Sequence, residues 1–151
     1  MTKPRHQETH TNCYFVTTNT GGRVPLFSDP KIASCVIESL NFLREKGRFR
    51  LHDFVVMLDH LHLLLFLGPE VTLPSLMHSL KSYTAKVLNR KRGKEGRVWQ
   101  DGYYSRGIRG LKDLEEKLQY LLENPLRKGL AEDLQGYAFS SANGRYPVDP
   151  W

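Results

Sequence analysis

The stretch Met57-Leu58-Asp59-His60-Leu61-His62-Leu63-Leu64-Leu65-Phe66 decides the fold of this chain, because it is an apolar run that carries two histidines separated by one leucine. In an extended strand the side chains alternate between faces, so His60 and His62 point the same way, roughly 7 Å apart. The leucines at 61, 63, 65 and 67 form a row on the other face, as in a buried central strand. The pattern predicts either a chelating pair of imidazoles or two hydrogen-bonded, half-buried histidines.

The segments before this strand follow strand and helix patterns in turn. Residues 12–20 are rich in aromatic and β-branched types and stop at two glycines, which predicts a strand. The apolar spacing after Pro30 predicts an amphipathic helix that ends before Gly47. Residues 50–57 predict a second strand, which turns at Asp59 into the histidine strand as its antiparallel neighbour.

The segments after it complete the pattern. A second helix is predicted from near Pro74 to about Lys91, and a short strand ends at Ile108. The last helix should run from about Leu111 to Glu123, because the residue before Pro125 is pushed out of the helical region. The order βαββαβα predicts an α+β protein, a ferredoxin-like or RRM-like sandwich with an antiparallel sheet and its helices on one face.

Length and composition predict one domain of 151 residues with a core at about 12–141. The two widely spaced cysteines exclude a disulfide scaffold. No apolar run approaches about 18 residues, and the polar first eight residues lack the apolar core of a secretory signal. We therefore expect a cytoplasmic protein with no membrane partner.

The net charge of +6 is concentrated in one segment. Between His78 and Arg109 there are nine basic residues and two acidic ones. Cations interleaved with aromatic side chains are typical of phosphate neutralisation and base stacking, and the alternative is a solvated basic helix and loop. The candidate nucleic-acid-binding residues are Lys81, Lys86, Arg90, Lys91, Arg92, Lys94, Arg97, Trp99, Tyr103, Tyr104, Arg106 and Arg109.

The last predicted helix separates one tyrosine from the core. With Leu118 at zero on a helical wheel, the other leucines lie within about 60°, whereas Tyr120 lies at about 200° and Asn124 at about 240°. Tyr120 and Asn124 therefore share the face opposite the core stripe, one turn apart. Tyr83, by contrast, lies on the apolar stripe of its own helix.

These residues form a coherent set for phosphodiester chemistry. Tyr120 is a candidate nucleophile that attacks phosphorus, and a cation bound by His60, His62 and the amide oxygen of Asn124 would neutralise the scissile phosphate. Imidazole nitrogens with one amide oxygen suit a divalent ion such as Mg²⁺ or Mn²⁺, although histidines alone would also suit zinc.

Four stretches together resemble the single-tyrosine HUH transposases, and most closely the REP-associated tyrosine transposases of bacteria. The His-hydrophobic-His motif is His60-Leu61-His62, and the others are Lys81-Ser82-Tyr83-Thr84, Trp99 to Tyr104, and Tyr120 to Leu130. The late pair Ser140-Ser141 also fits. They occur in the expected order over residues 12–141.

The resemblance implies a metal-dependent nuclease and strand-transfer enzyme that acts on single-stranded DNA with hairpin ends. It gives Tyr120 the role of nucleophile, with a 5′-phosphotyrosine link and a free 3′ hydroxyl, and gives metal binding to His60, His62 and Asn124. Members of the family work as dimers that exchange the tyrosine helix, whereas the short tail here favours a site within one chain. The protein is therefore expected to be a monomer or a homodimer.

Two other classes compete with this hypothesis. A non-catalytic ferredoxin-like module could bind nucleic acid by base stacking, but the histidine pair would then have no role. A zinc-dependent hydrolase could use the histidines to activate water, but it needs another strong ligand and leaves Tyr120 without a task.

Overall fold

The computed structural model describes residues 12–151. Its helices and strands follow the predicted order, with strand and helix bounds of β1 Cys13–Asn19, α1 Pro30–Arg44, β2 Phe49–Val56, β3 His60–Leu67, α2 Leu73–Arg92, β4 Tyr104–Gly107 and α3 Leu111–Arg127. Short 3₁₀ turns occupy 21–23, 26–28, 134–136 and 141–143. The amino-terminal segment on which the absence of a secretory signal was predicted lies outside the described residues.

The four strands form one antiparallel sheet in the order β2-β3-β1-β4. The histidine strand β3 is therefore central, as its apolar pattern predicted. Thr17 of β1 pairs with His62 on one side and with Tyr104 on the other. Directly paired residues share a face of the sheet, so these three side chains lie on the face that carries the histidines. We call it the histidine face.

The opposite face of the sheet carries the main core. The leucines at 61, 63 and 65 are fully buried there, against the apolar sides of α1 and α2. Helix α1 begins at Pro30, which is preceded by Asp29, whose side chain accepts a hydrogen bond from the Lys31 amide. Helix α2 ends at Gly93 in the left-handed conformation that glycine adopts without steric conflict.

The α+β class and the antiparallel sheet are confirmed, but the helices do not all lie on one face. Helix α3 covers the histidine face, where Leu121 packs in a second core with Phe15, Val55 and Leu64. The physical reason is that β1, β2 and β3 are apolar on both faces along part of their length. A sheet with apolar residues on both faces needs a layer on each.

The prediction that Asn124-Pro125 closes the last helix is wrong, because α3 continues to Arg127 with Pro125 inside it. Proline lacks one N–H donor, and only Leu126 and Arg127 follow it in the helix, so the proline disturbs only the last turn. That turn is closed by Lys128, whose amide donates to the Asn124 carbonyl, 3.1 Å away. Arg127, the last residue of this added turn, lies at nearly the same angular position on the helix as Tyr120.

The carboxyl-terminal segment lies along β2, an edge strand. The Asp149 amide donates to the Leu51 carbonyl at 2.8 Å, and the Asp149 carboxylate accepts from the Leu51 amide and from Arg44. In residues 12–151, no helix combines the length and the apolar character that a membrane span requires.

Candidate active site

His60 is held by its neighbour in the sequence. Its Nδ1 lies 2.7 Å from the carboxylate of Asp59, which in turn accepts two hydrogen bonds from Arg23. Burial of Asp59 opposes its charge, but the hydrogen bonds from His60 and Arg23 outweigh burial and hold the pKa of this carboxyl below its usual range. An ionised carboxylate only accepts, so the proton of His60 is on Nδ1 and its Nε2 keeps a free lone pair.

His62 is oriented by the neighbouring strand. The Thr17 hydroxyl is 2.7 Å from its Nδ1, and the Phe15 ring stacks on the imidazole with centroids 5.3 Å apart. Its Nε2 is buried with no hydrogen-bond partner. Burial, with the nearby charges of His60 and Arg127, lowers the pKa of His62 to about 3, and burial likewise lowers the pKa of His60. Both imidazoles are therefore neutral at pH 7, the form that binds metal ions.

Tyr120 lies above these histidines and is about half exposed, at 49%. Its ring meets the His62 ring edge to face at 5.8 Å and the Phe15 ring at 6.1 Å. One chain thus brings together the candidate nucleophile and the histidine pair. Tyr83 stacks on Phe42 between α1 and α2, on the other side of the sheet.

Asn124 is buried, with 3% of its surface exposed, and its Oδ1 has no hydrogen-bond partner. The wheel prediction that Tyr120 and Asn124 face away from the core is therefore corrected. The buried side of α3 is centred on Leu121, Asn124 and Pro125, and Tyr120 lies at its edge. The buried stripe of α3 includes Asn124 because the histidine face of the sheet carries polar histidines as well as apolar residues.

These atoms fit a metal site of two imidazoles and one amide. Buried polar atoms without partners are uncommon, and His62 Nε2 and Asn124 Oδ1 are two of three such atoms found among the described residues. Across residues 12–151 no group of three or more His, Cys, Asp or Glu side chains could hold a metal ion. Asn124 Oδ1, buried and without a hydrogen-bond partner, is a candidate third protein ligand beside His60 and His62.

Two adjacent cavities open on the histidine face. The first, of about 510 Å³, is lined by Phe15, Thr17, His62, Tyr104, Glu116, Lys117 and Tyr120. The second, of about 450 Å³, shares Thr17 and Tyr104 with the first and adds Asn19, Gln100, Asp101, Gly102 and Tyr103. Together they make a groove that starts at the tyrosine and combines aromatic walls with hydrogen-bonding side chains.

The structure places most of the predicted nucleic-acid-binding residues in three locations, which are the histidine face, helix α2 and the loops on either side of β4. Tyr104, which is 56% exposed, and Arg106 lie on the histidine face, since they pair with Thr17 and Phe15. The cations of α2 belong to the helix that packs on the opposite face. These comprise the exposed Lys86, Arg90 and Lys91 and the half-buried Arg92. Lys94, Arg97 and Arg109 are exposed in the loops on either side of β4.

Trp99, Lys81 and Tyr103 are buried or half-buried and contact other parts of the fold. Trp99 is buried at 4%, donates from Nε1 to the Thr84 hydroxyl at 2.8 Å and packs on Phe27, so it does not present its ring to a base. The Lys81 ammonium donates to the carbonyls of Gln100 and Gly102 and so anchors the loop before β4. Tyr103 is partly buried against the main core.

The sequence analysis missed the residues that orient the site. Asp59 was interpreted only as a turn, although an acidic residue directly before a His-x-His motif is a possible partner for it. Thr17 and Phe15 carry no local signal, because only the β1–β3 register brings them to His62. Arg127 was not placed near Tyr120, because the helix was predicted to end at Glu123.

The chain thus has a four-stranded antiparallel sheet with a histidine pair on its central strand and a tyrosine helix across that face. Residues 9–124 match the family model described as transposase IS200-like. The match spans more than half of the chain, and the chain belongs to this family.

Known relatives are consistent with this assignment. The chain is 25% identical over 107 residues to the REP-associated tyrosine transposase of Escherichia coli K12, a match that covers 67% of this chain and 62% of the relative. The fold is similar to that of a REP-associated tyrosine transposase bound to a REP hairpin, with a TM-score of 0.69, 22% identity and coverage of 100% of this chain and 91% of the other. It is also similar to a candidate transposase from Deinococcus radiodurans R1, with a TM-score of 0.59, 22% identity and coverage of 82% and 97%.

Proposed function

We propose that this protein is a metal-dependent single-stranded DNA endonuclease and strand transferase that cleaves at DNA hairpins through a 5′-phosphotyrosine intermediate. The observation that carries the proposal is the contact of the half-exposed Tyr120 ring with His62, whose buried Nε2 has no partner. A tyrosine beside a solvent-excluded ligand atom is an arrangement for nucleophilic attack near a cation. This cleavage and strand transfer would take place in the cytoplasm.

The reaction makes and breaks one bond at phosphorus in each step. The Tyr120 oxygen bonds to the scissile phosphorus and releases the phenolic proton, while the bond from phosphorus to the 3′ oxygen breaks. That oxygen takes up a proton and leaves as a 3′ hydroxyl. In strand transfer another 3′ hydroxyl attacks the phosphotyrosine and frees Tyr120.

His60, His62 and Asn124 would hold a divalent ion, Mg²⁺ or Mn²⁺. Bound there, the ion would supply charge neutralisation at the scissile phosphate and favour loss of the phenolic proton. Asp59 and Thr17 fix the two imidazoles with Nε2 toward the site, as partners of ligating histidines commonly do. Phe15 stacks on His62 and excludes water from that side.

We propose that the DNA contacts the molecule on both sides of the sheet. The single strand at the cleavage site would occupy the groove on the histidine face, where Tyr104 offers an exposed ring for base stacking. The exposed cations of α2 and its following loop would contact phosphates of the paired hairpin stem. A relative solved with a REP hairpin supports a hairpin as the substrate.

A covalent adduct tests the proposal. The protein is incubated with Mn²⁺ and a hairpin oligonucleotide that carries a single-stranded flank, and the products are separated on a denaturing gel. We expect a shifted protein–DNA band that does not form when EDTA replaces Mn²⁺ in the reaction and that Tyr120→Phe does not form. Tyr83→Phe is the matched control, because that tyrosine lies across the sheet, and it should form the band normally.

The other outcomes identify the competing classes. Binding of the hairpin without an adduct under any metal condition would favour a non-catalytic binding module. Cleavage without an adduct, and with equal rates in Tyr120→Phe, would favour a metal-dependent hydrolase that uses water. Either result would refute the tyrosine mechanism.

A further inference from the structure

The last turn of α3 brings a cation back to the tyrosine. Arg127 follows Tyr120 by seven residues, which is within about 20° of two full helical turns. Helical side chains lean toward the amino terminus of the helix, so a long side chain at this position reaches back along the same face. Because α3 continues through Pro125, Arg127 is still in helical register.

The guanidinium of Arg127 contacts Tyr120 in two ways. Its central carbon lies 4.4 Å from the centre of the Tyr120 ring, and one of its terminal nitrogens donates to the Tyr120 carbonyl oxygen at 2.5 Å. The cation thus lies against the ring face while anchored to the backbone of the same residue. This arrangement limits the orientations that the Tyr120 ring can adopt.

The guanidinium keeps donors for a ligand. Its one acidic ion-pair partner among residues 12–151, Glu123, is 4.0 Å away, and both side chains are about 40% exposed. A pair this long and exposed to water contributes little. A guanidinium offers five N–H donors in a planar fork that matches the oxygens of a phosphate, and here one donor is used on a carbonyl.

We propose that Arg127 is a further catalytic residue, which holds the Tyr120 ring and binds a non-bridging oxygen of the scissile phosphodiester. The inference rests on the proposed function, in which the phenol oxygen attacks that phosphorus. Arg127 stays protonated throughout and transfers no proton. It stabilises the negative charge on the phosphoryl oxygens while the bond to Tyr120 forms and the bond to the 3′ oxygen breaks.

Single-turnover cleavage of the hairpin oligonucleotide tests this role. We expect Arg127→Gln to form the adduct roughly 100-fold more slowly, the loss seen when one transition-state donor is removed, with hairpin affinity changed by less than about threefold. Arg127→Lys keeps the charge but loses the fork, and it should recover part of the rate. Arg50→Gln is the matched control, since Arg50 also stacks on a ring, that of Phe66 at 5.1 Å. It should cleave at the normal rate.

A phosphorothioate at the scissile position separates substrate contact from a structural role. Sulfur accepts hydrogen bonds weakly, so the wild-type protein should react more slowly with the diastereomer whose sulfur faces Arg127. Arg127→Gln has already lost that bond, and its ratio of rates for the two diastereomers should differ from the wild-type ratio by about tenfold.

Two results would overturn the inference. One is a normal rate for Arg127→Gln, and the other is an identical diastereomer ratio in variant and wild type, which would limit Arg127 to packing on Tyr120. If the wild-type protein itself forms no adduct, the proposed function fails instead, so the two failures are distinguishable.

Discussion

Replacing Asn124 with leucine should stabilise the metal-free protein and remove most of its stabilisation by metal. Asn124 is 3% exposed and its Oδ1 has no hydrogen-bond partner. A buried acceptor without a partner lowers the free energy of unfolding by about 1–3 kcal/mol, and a protein can tolerate this loss when the atom binds a ligand. Leucine has a similar branched shape and carries no polar atom.

The expected magnitude follows from two opposing effects. Asn124→Leu removes the unpartnered acceptor and its penalty of about 1–3 kcal/mol. Imperfect packing of the leucine side chain should cost less than about 1.5 kcal/mol. We expect a net gain of about 1 kcal/mol in the free energy of unfolding, or about 2–4 °C in Tm for a chain of this size. At 100 times its Kd, Mn²⁺ should stabilise the wild-type protein by about 2.7 kcal/mol. The variant should lose most of that response.

Urea denaturation in EDTA and in Mn²⁺ measures both effects. Leu121→Ala is the control, because Leu121 is fully buried three residues earlier on the same helix. It should lose about 2–5 kcal/mol in both conditions and keep the normal Mn²⁺ response. If Asn124→Leu proves less stable than wild type in EDTA and responds to Mn²⁺ normally, Asn124 is a structural residue and not a ligand.

Three further predictions concern pH, salt and subunit mixing. Lowering the pH from 6.5 to 5 in EDTA should reduce the free energy of unfolding by about 1.5 kcal/mol, because burial lowers the pKa of His62 to about 3 while an unfolded histidine titrates near 6.5, so the unfolded chain binds the proton first. His62→Gln should flatten this dependence, and an unchanged curve would contradict the pKa assignment. The slope of log affinity against log salt for hairpin binding should fall by about 2.7 on charge reversal of the three consecutive cations that end α2, Arg90, Lys91 and Arg92; an unchanged slope would place the DNA elsewhere. A mixture of His60→Ala and Tyr120→Phe proteins should stay inactive, since one chain supplies both halves of the site, whereas restored cleavage would show a site shared between subunits.

The central strand and the candidate site could be predicted because their signals are local. Strand alternation placed His60 and His62 on one face and the odd-numbered leucines on the other, which is the observed arrangement. The spacing of Tyr120 and Asn124 put them on neighbouring turns of one helix. Both patterns depend only on the period of a strand or a helix.

The remaining features depend on tertiary structure. Trp99 follows a basic loop, but the Thr84 hydroxyl and Phe27 bury it, and neither contact can be read from residues 93–104. The partners of His62 come from β1, 45 residues away in the case of Thr17. Pro125 normally marks a helix end, yet packing of α3 on the histidine face keeps the helix intact for one more turn.

Mapping the covalent link tests the central claim most directly. The hairpin adduct formed in Mn²⁺ is digested with protease and nuclease, and the modified peptide is sequenced by mass spectrometry. The account predicts a single nucleotide phosphate ester on Tyr120, with the 5′ phosphate attached to the phenol oxygen. A link to any other residue, such as Tyr104 in the same cavity, or cleaved DNA with no protein attached, would contradict it.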